Sequence, residues 1–356
     1  MIYPLNPFIK KTFSPPIIQA YKWLDETALP SHLKLMDLSQ AAPAEPPHIR
    51  IREAIAEASI NEPKAHFYGP VLGNDDLRQA LSKKWNEWYC GTLHPKNIGI
   101  TSGSNQAFCA TIASIAAPGD NIIVPSPWYF NHKMWLDMAA ININILPVAE
   151  DMLPSADITE KLINGKTKAI LLITPNNPTG AEYSKELLSK FYKIAKRNHI
   201  KLIIDETYRD FHSQKNPTHN LFQEFEWEDT LISLYSFSKS YRLTGHRIGA
   251  IITNSERLSQ IEKFLDTMTI CPNQLGQIAA LYGLQNLSTW LENQRLEIHK
   301  RKNAIQKGFN HLSDWRLKSC GAYFAYVEHP FAMTSEIVCQ DLLSEQAILT
   351  LPETMF

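Results

Sequence analysis

The sequence lacks several features that would assign it to a specialised class of protein. Its 356 residues contain no apolar run near the ~18 residues that a membrane span requires, and prolines with a lysine pair interrupt the amino terminus, MIYPLNPFIKKTFSPP, where a secretory signal needs an apolar core. Neither sign of charge is in excess, since 35 basic residues stand against 36 acidic ones. We therefore expect a cytoplasmic protein whose partners are neither membranes nor nucleic acids.

Cysteine and histidine are present but follow no ligand pattern. The five cysteines include no C-x-x-C pair, and the twelve histidines form no H-E-x-x-H motif. We therefore expect reduced cysteines, no disulfide framework and no metal site. The phosphate-binding motif G-x-x-x-x-G-K-[ST] is also missing, and no G-x-G-x-x-G follows a strand-like segment.

What the sequence does contain is an alternation of short apolar runs and helical segments. The strand-like runs are KNIGIT, NIIVPSP, KAILLIT, KLIID, TLISLYS and GAIIT. The segment SKELLSKFYKIAKRNH has Ser184 as a potential N-cap and its apolar residues on one helix face. Short β-branched runs between turn residues are typical of strands that are buried on both faces. The pattern predicts an α/β fold, with a three-layer, mostly parallel sheet covered by helices on both faces, and a smaller α+β domain.

Composition divides the chain into three regions. Residues 1–47 are punctuated by prolines, and we expect an N-terminal arm that contributes to the small domain. Residues 48–270 carry the alternating pattern of the large domain, and residues 271–356 would form a small C-terminal domain. The last region opens with a long helical stretch and continues with CGAYFAYVE, which predicts one strand.

Polar residues follow several of the predicted strands, at the edge where ligands bind in open α/β sheets. In TSGSNQA, Ser102, Gly103 and Ser104 precede a helix whose first N–H groups suit a phosphate, although a simple turn explains the same residues equally well. In TPNNPTG, Asn177 is a candidate hydrogen-bond donor, the alternative being a proline-rich turn.

Two further stretches carry ionisable groups. In IIDETY, Asp205 ends a buried strand three residues before Tyr208, and a buried carboxylate needs a cation or donors, such as a helix start, an ion pair or a protonated ring nitrogen. In SFSKSYRLTGHRIG, Lys239 lies between Ser236 and Arg247. An isolated lysine is usually a surface residue, but a desolvated lysine near another cation becomes a nucleophilic amine. Together these groups match the needs of pyridoxal phosphate: a Schiff-base lysine, an anion for the pyridine nitrogen and a phosphate site.

With these motifs in order, the sequence closely resembles the class I/II aminotransferases, which are pyridoxal-phosphate enzymes of fold type I and include aspartate and aromatic aminotransferases. The resembling motifs span most of residues 35–255: YGPVLGNDDLRQA, TSGSNQA, PSPWYFNH, TPNNPTG, IIDETY and SFSKSYRLTGHRIG. The resemblance implies a transaminase that moves the amino group of an amino acid to a 2-oxo acid by a ping-pong mechanism. A C–S lyase or a cyclopropane-forming synthase of the same fold remains an alternative. A non-catalytic binding module is less favoured, because Lys239 and Asp205 are both present.

The resemblance also implies a role for each site residue. Lys239 would be the Schiff-base lysine, and Asp205 would pair with the pyridine nitrogen of the cofactor. Asn177 and Tyr208 would hydrogen-bond the ring's 3-hydroxyl oxygen, while Tyr129 would stack on the ring, with Trp128 as the alternative. The phosphate would be bound by Ser102, Gly103, Ser104, Ser236 and Arg247.

Tyr68 matches the family tyrosine that reaches the cofactor phosphate of the other subunit, which implies a homodimer with shared active sites. Two positions depart from the family. Ala41, in LSQAAP, replaces the usual glycine of the substrate loop and is expected to crowd the substrate. The family also continues past a motif like LPETMF to an arginine that binds the substrate α-carboxylate. No equivalent arginine can be named here, and we expect the natural protein to continue beyond Phe356.

Overall fold

The computed structural model describes residues 5–215 and 217–356, which fold around one large β-sheet. The strands are β1 Met36–Asp37, β2 Ile98–Thr101, β3 Asn121–Ser126, β4 Asn142–Pro147, β5 Thr167–Ile173, β6 Lys201–Asp205, β7 Leu231–Ser236, β8 Gly249–Ile252, β9 Arg316–Gly321, β10 Phe324–Glu328 and β11 Ile348–Leu349. The α-helices are α1 Pro7–Lys11, α2 Pro16–Glu26, α3 Ile49–Asn61, α4 Asp75–Tyr89, α5 Ser104–Ile115, α6 Phe130–Met138, α7 Ala156–Leu162, α8 Lys185–Arg197, α9 Trp227–Thr230, α10 Phe237–Ser240, α11 Ser255–Thr269, α12 Gln274–Asn286, α13 Ser288–Phe309 and α14 Ser335–Gln346.

The large sheet has seven strands in the order β2-β8-β7-β6-β5-β3-β4. The neighbours from β4 to β7 are parallel, whereas β8 runs antiparallel to both β7 and β2. The prediction of a mostly parallel sheet is therefore confirmed. All six strands predicted for this sheet are present in it.

Successive residues of each central strand enter two different cores, which lie on opposite faces of the sheet. In β5, Ile170 and Leu172 belong to one cluster of buried side chains, and Ala169 and Leu171 belong to the other. Residues of α4, α8 and α12 complete the first cluster, and residues of α5, α6 and α11 complete the second. This arrangement confirms the predicted three layers, because a strand covered on both faces carries a nearly continuous run of apolar residues.

The helix predicted after Ser184 is α8, and its sequence explains both its start and its packing. The Ser184 hydroxyl oxygen accepts a hydrogen bond from the Leu187 N–H at 3.1 Å. Leu188 and Phe191 on the same helix face are fully buried against the sheet. The helix thus fixes the loop that precedes it, which is the TPNNPTG motif.

The prediction of a single strand for CGAYFAYVE is wrong, because the chain reverses direction within this segment. β9 and β10 pair antiparallel on either side of Ala322 and Tyr323, and Ala322 has a left-handed φ of 47°. The turn packs on the TPNNPTG loop so closely that a Cβ at Gly180 would lie 2.4 Å from the Gly321 nitrogen. The prediction also missed α3, α6 and the edge strand β4, whose half-exposed Asn–Ile alternation is a weak strand signal.

A third core lies at the ends of the chain. Ala20 and Trp23 of α2 pack with Cys339 and Leu343 of α14, and β1 pairs in parallel with β11. The amino-terminal arm is therefore joined to the carboxyl-terminal region, while the domain limits at residues 47 and 270 stay predictions. Among the described helices, none combines the length and the apolar character needed to cross a membrane.

Candidate active site

The start of α5 and the turn after α10 form a positively charged site at one edge of the sheet. Gly103 precedes α5 with a φ of +84°, and a Cβ on this residue would lie only 2.3 Å from Nη2 of Arg247. Two hydrogen bonds fix the Arg247 guanidinium: Nη1 donates to the Thr244 carbonyl oxygen at 2.9 Å and to the Ser238 hydroxyl at 3.3 Å. A guanidinium beside the free N–H groups of a helix start is a suitable site for a phosphate.

Lys239 lies in the short helix α10, directly after the buried strand β7. Its ammonium nitrogen donates to the carbonyl oxygen of Ala41 and lies 5.9 Å from the centre of the Tyr208 ring. Burial, and secondly the positive charge of Arg247, lower the pKa of Lys239 to about 8. A sizeable fraction of this amine is therefore unprotonated near neutral pH, as a nucleophile requires.

Asp205 is almost completely buried at the end of β6, with 3% of its surface exposed. Its Oδ1 accepts hydrogen bonds from the Thr207 N–H at 3.0 Å and the Thr207 hydroxyl at 2.7 Å. Its Oδ2 lies 3.3 Å from Nε2 of His132, without the angle of a hydrogen bond, and the His132 ring packs on Phe108 at 3.9 Å. One carboxylate oxygen is thus satisfied by the turn, and the other is left with an acceptor position for a further donor.

Two tyrosines, Tyr129 and Tyr208, lie near the Asp205 carboxylate. The Tyr129 hydroxyl donates to Asn105 Oδ1 at 3.3 Å, and burial raises the pKa of Tyr129 to about 12. Burial, followed by the proximity of Tyr129, also raises the pKa of Tyr208 well above its ordinary value. Both phenols therefore stay protonated at neutral pH. The alternative ring-stacking residue, Trp128, has the Lys133 ammonium 5.9 Å from its ring centre.

In the TPNNPTG loop the two asparagines have different surroundings. Asn176 holds the turn, because its Oδ1 accepts from the Thr179 N–H at 3.1 Å and from the Thr179 hydroxyl at 2.9 Å. The Asn177 side chain makes no hydrogen bond with any residue in 5–215 or 217–356, so its amide remains available to a ligand. The sequence-based choice of Asn177 as the donor is compatible with this arrangement and stays a prediction.

The structure brings most of the predicted site residues to one edge of the sheet, but Ser236 and Tyr68 differ from the rest. The Ser236 hydroxyl accepts from the Ser238 N–H at 3.2 Å and so caps α10. Tyr68 is 81% exposed and therefore lies outside the buried part of the site. The Gly103 backbone, in contrast, lies directly beside Arg247.

Sequence reasoning missed four contributors to this site. They are the Ala41 carbonyl, His132, Thr207 and Ser238. His132 was within the motif PSPWYFNH, and Thr207 and Ser238 adjoin predicted residues, so each lay inside a motif without a role attached to it. The Ala41 contact spans 198 positions and had no local signal.

The comparisons with known proteins agree with this arrangement. A family model for aminotransferase class I and II matches residues 34–356. The chain is 28% identical to an aspartate aminotransferase of Thermotoga maritima over 86% of this chain and 79% of that protein. It is 29% identical to an aromatic aminotransferase of Arabidopsis thaliana over 83% of this chain and 75% of that protein.

Solved structures show the same fold at lower sequence identity. An aspartate aminotransferase from Thermus thermophilus, solved with maleate, superimposes with a TM-score of 0.88 at 22% identity and covers 99% of this chain and 92% of its own. An aspartate aminotransferase from Rhizobium meliloti gives a TM-score of 0.90 at 18% identity with the same coverage.

The fold and the family match together define a transferase that acts on amino groups. The chain belongs to the class I and II aminotransferases. The relatives support amino acid transamination as its reaction, and they do not favour the elimination reactions of a lyase or a cyclopropane-forming synthase.

Proposed function

We propose that this protein transfers the amino group of an amino acid to a 2-oxo acid by a ping-pong mechanism, with pyridoxal phosphate as its cofactor. The observation that carries the proposal is the lysine with a lowered pKa, Lys239, next to a guanidinium at a helix start and near a buried carboxylate. When bound, pyridoxal phosphate supplies an aldehyde that takes up amino groups and a ring that accepts an electron pair.

The residues fit the three parts of this cofactor. Arg247, the hydroxyls of Ser102 and Ser104 and the N–H groups of α5 that follow Gly103 would bind the phosphate, with the guanidinium already held in place by Thr244. The N–H groups of Ser102 and Gly103 themselves donate to Gln106 Oε1 at 2.7 Å and to the Thr101 carbonyl oxygen at 2.9 Å. The Ser236 hydroxyl would add a further contact. Because Gly103 has no side chain, the guanidinium approaches the helix start closely, and the two sources of positive charge act on the same anion.

The ring would lie between Tyr129 and the end of β6. Asp205 Oδ2, left without a hydrogen bond by the turn, would accept one from a protonated ring nitrogen and so hold that proton. The Tyr208 phenol and the Asn177 amide would donate to the ring hydroxyl oxygen. His132 packs against Phe108 and limits the movement of the Asp205 side chain.

Lys239 would act twice. With a pKa of about 8, its nitrogen is a competent nucleophile for the cofactor aldehyde near neutral pH. Once a substrate amine replaces it there, the freed Nζ would take the proton from the substrate α-carbon. The contact with the Ala41 carbonyl places this nitrogen beside the loop that we expect to border the substrate.

The reaction is tested by loading the protein with pyridoxal phosphate, reducing with borohydride and mapping the peptides. We expect a pyridoxyl group on Lys239 in the native chain and on no lysine of a Lys239→Arg variant. Incubation of the loaded protein with aspartate or an aromatic amino acid should then give the matching oxo acid. A pyridoxyl group on another lysine contradicts the proposed site. Release of the substrate amino group as ammonia, in place of its transfer to the cofactor with formation of the oxo acid, contradicts the proposed reaction.

We also propose a homodimer in which Tyr68 contributes to the partner's phosphate site. In support, Phe67 and Tyr68 are largely exposed, and the chain around Met268 and Ile270 is exposed beside them, since the Gly69 N–H lies 3.4 Å from Cys271 Sγ. An apolar surface of this kind is typical of an interface between subunits. A cytoplasmic location is likewise proposed, since all five cysteines are free thiols, as in a reducing compartment.

A further inference from the structure

A buried group of charged and hydroxyl side chains lies on the α4 side of the sheet, behind the candidate site. Its members are Tyr89, Glu206, Arg209, Asp210, His219, Ser233, Tyr235 and Ser240. Burial alone raises the pKa of Glu206, but the neighbouring His219 and Arg209 reverse this, so the pKa is lowered and the carboxylate is charged. The proposed reaction assigns no role to any of these side chains.

Three members of the group directly follow a candidate site residue in the chain. Glu206 follows Asp205, Arg209 follows Tyr208, and Ser240 follows Lys239. In extended and tightly turned backbone, neighbouring side chains point in different directions. Each of these segments therefore presents one residue to the site and the next residue to the buried group.

Asp210 links two of these segments. Its Oδ2 accepts hydrogen bonds from the Ser240 hydroxyl at 2.6 Å and the Tyr235 hydroxyl at 2.7 Å, and its Oδ1 accepts from Arg209 Nη1 at 2.9 Å. The Arg209 guanidinium in turn lies 3.9 Å from the centre of the Trp88 ring. Three donors from three different residues closely define the position of this carboxylate.

Such a group is a costly way to fill a core, because buried ion pairs repay their desolvation only with well-placed partners. The position of α10 supplies a reason for it. This helix has four residues, far below the ~12–15 at which an isolated helix becomes stable in water. Its start is capped by Ser236, and its end is held by the bond from Ser240 to Asp210.

We propose that Ser240 and Asp210 are positioning residues, which fix α10, and with it Lys239, against the turn that carries Tyr208. The expected effect on cofactor binding rests on the proposed function, whereas the hydrogen bond between Ser240 and Asp210 does not depend on it. Loss of the Ser240 hydroxyl should free the end of α10, so that the Lys239 nitrogen becomes more hydrated. Arg247 and Tyr208, the charged and titratable groups that face this nitrogen, are unchanged by the substitution.

The test compares Ser240→Ala with Ser233→Ala. Both serines are fully buried, and both donate to a buried carboxylate, Ser233 to Glu206 Oε2 at 2.8 Å. The matched pair separates a general loss of stability from a specific effect on α10. In the cofactor-free protein, the pH midpoint for acetylation of Lys239 by acetic anhydride is measured by mass spectrometry, with exposed Lys190 as the internal reference.

We expect the midpoint of Lys239 to rise by about one pH unit in Ser240→Ala, towards the ordinary lysine value, and to stay unchanged in Ser233→Ala. Ser240→Cys, which keeps the volume and a weak donor, should show a smaller rise and serves if the alanine variant does not fold. The proposal is overturned if Lys239 has the same midpoint in the wild-type protein and in Ser240→Ala, or if Ser240→Ala and Ser233→Ala shift the midpoint equally.

Cofactor capture provides the second measurement. Ser240→Ala should bind pyridoxal phosphate about tenfold more weakly than Ser233→Ala, which corresponds to the loss of one hydrogen bond. Wild-type protein that captures no pyridoxal phosphate on Lys239 contradicts the proposed function, whereas the acetylation midpoints still decide the role of Ser240. The two failures are therefore distinguishable.

Discussion

Adding a single methyl group at Gly103 should weaken phosphate binding far more than it weakens the fold. Gly103→Ala places a Cβ 2.3 Å from Nη2 and 3.0 Å from Cζ of Arg247, so the guanidinium must move. The substitution also forces alanine into a backbone conformation with φ +84° and ψ 168°, which is essentially restricted to glycine and costs about 1–3 kcal/mol. These two effects need to be separated, and the chain contains a control that does so.

The control is Gly119→Ala. Gly119 has a φ of +90°, and a Cβ there would meet no atom within 4 Å. Both variants place alanine at a positive φ, but only Gly103→Ala displaces Arg247. We expect each variant to lose about 1–3 kcal/mol of unfolding free energy. Gly103→Ala should lose more than Gly119→Ala, because its ψ of 168° adds strain and Arg247 also gives up its bond to the Thr244 carbonyl.

Ligand affinity then reports the displacement of Arg247. A hydrogen bond to a charged group contributes roughly 1.5–3 kcal/mol, which is about 10-fold to 150-fold in affinity. Titration of the visible absorbance should show this loss for pyridoxal phosphate in Gly103→Ala, little change for pyridoxal, which has no phosphate, and wild-type behaviour in Gly119→Ala. Wild-type affinity in Gly103→Ala, or an equal loss for both ligands, would refute the assignment of the phosphate site.

Three further predictions concern other parts of the site. Asp205→Ala should still capture pyridoxal phosphate on Lys239 but exchange the substrate α-proton at least about 100-fold more slowly by NMR, with partial recovery in Asp205→Glu; unchanged exchange would exclude Asp205 as the ring partner. In the cofactor-free protein, Lys239→Met should raise the unfolding free energy by up to about 3 kcal/mol at pH 7, because the folded pKa of about 8 lies below the unfolded value and the charged amine disfavours folding. This gain should shrink from pH 8 upwards and vanish near pH 11, and a gain independent of pH would contradict the burial of a charged amine. Mixing Lys239→Ala and Tyr68→Phe chains should give hybrids with one intact site each, whereas an active monomer in sedimentation would disprove the shared site.

The central sheet was predictable because its strands are short, mostly apolar and bounded by turn residues. β5 and β6 are examples, since each is covered by helices on both faces and so needs no polar alternation. β4 escaped prediction for the opposite reason. It is an edge strand in which asparagine alternates with isoleucine, and only its pairing with β3 makes it a strand.

The hairpin of β9 and β10 shows a second limit. Its turn at Ala322 and Tyr323 contains none of the residues that favour a left-handed backbone, so the sequence reads as one continuous strand. The turn is stabilised from outside, by the close contact of Gly321 with Gly180 of the TPNNPTG loop. A contact between residues so distant in the chain leaves no local pattern.

In the candidate site, too, some residues have a recognisable local sequence pattern and others do not. Lys239, Asp205 and Arg247 were recognisable because charged residues beside buried strands are unusual and because each stands in a motif. Their neighbours Ser240 and Glu206 look ordinary in sequence, since serine and glutamate commonly lie on a surface. Only the folded chain shows that these neighbours are fully buried. Ser240 donates to Asp210, and Tyr89 joins Arg209, the residue before Asp210, to Glu206 by hydrogen bonds.

This pairing of a reactive residue with a buried neighbour has a physical rationale. Burial disfavours the charged forms of both the lysine and the carboxylate. Other interactions must therefore hold these two side chains at a fixed separation. In this chain the residues that follow them form hydrogen bonds on the far side of the same backbone, at 2.6 Å from Ser240 to Asp210 and 2.8 Å from Ser233 to Glu206. In our proposal these hydrogen bonds help to keep Lys239 in place, although their side chains do not contact the ligand. Substitution of Ser240 should therefore alter the pKa of Lys239 and the affinity for the cofactor, whereas substitution of Ser233, which bonds behind Asp205, should leave the pKa of Lys239 unchanged.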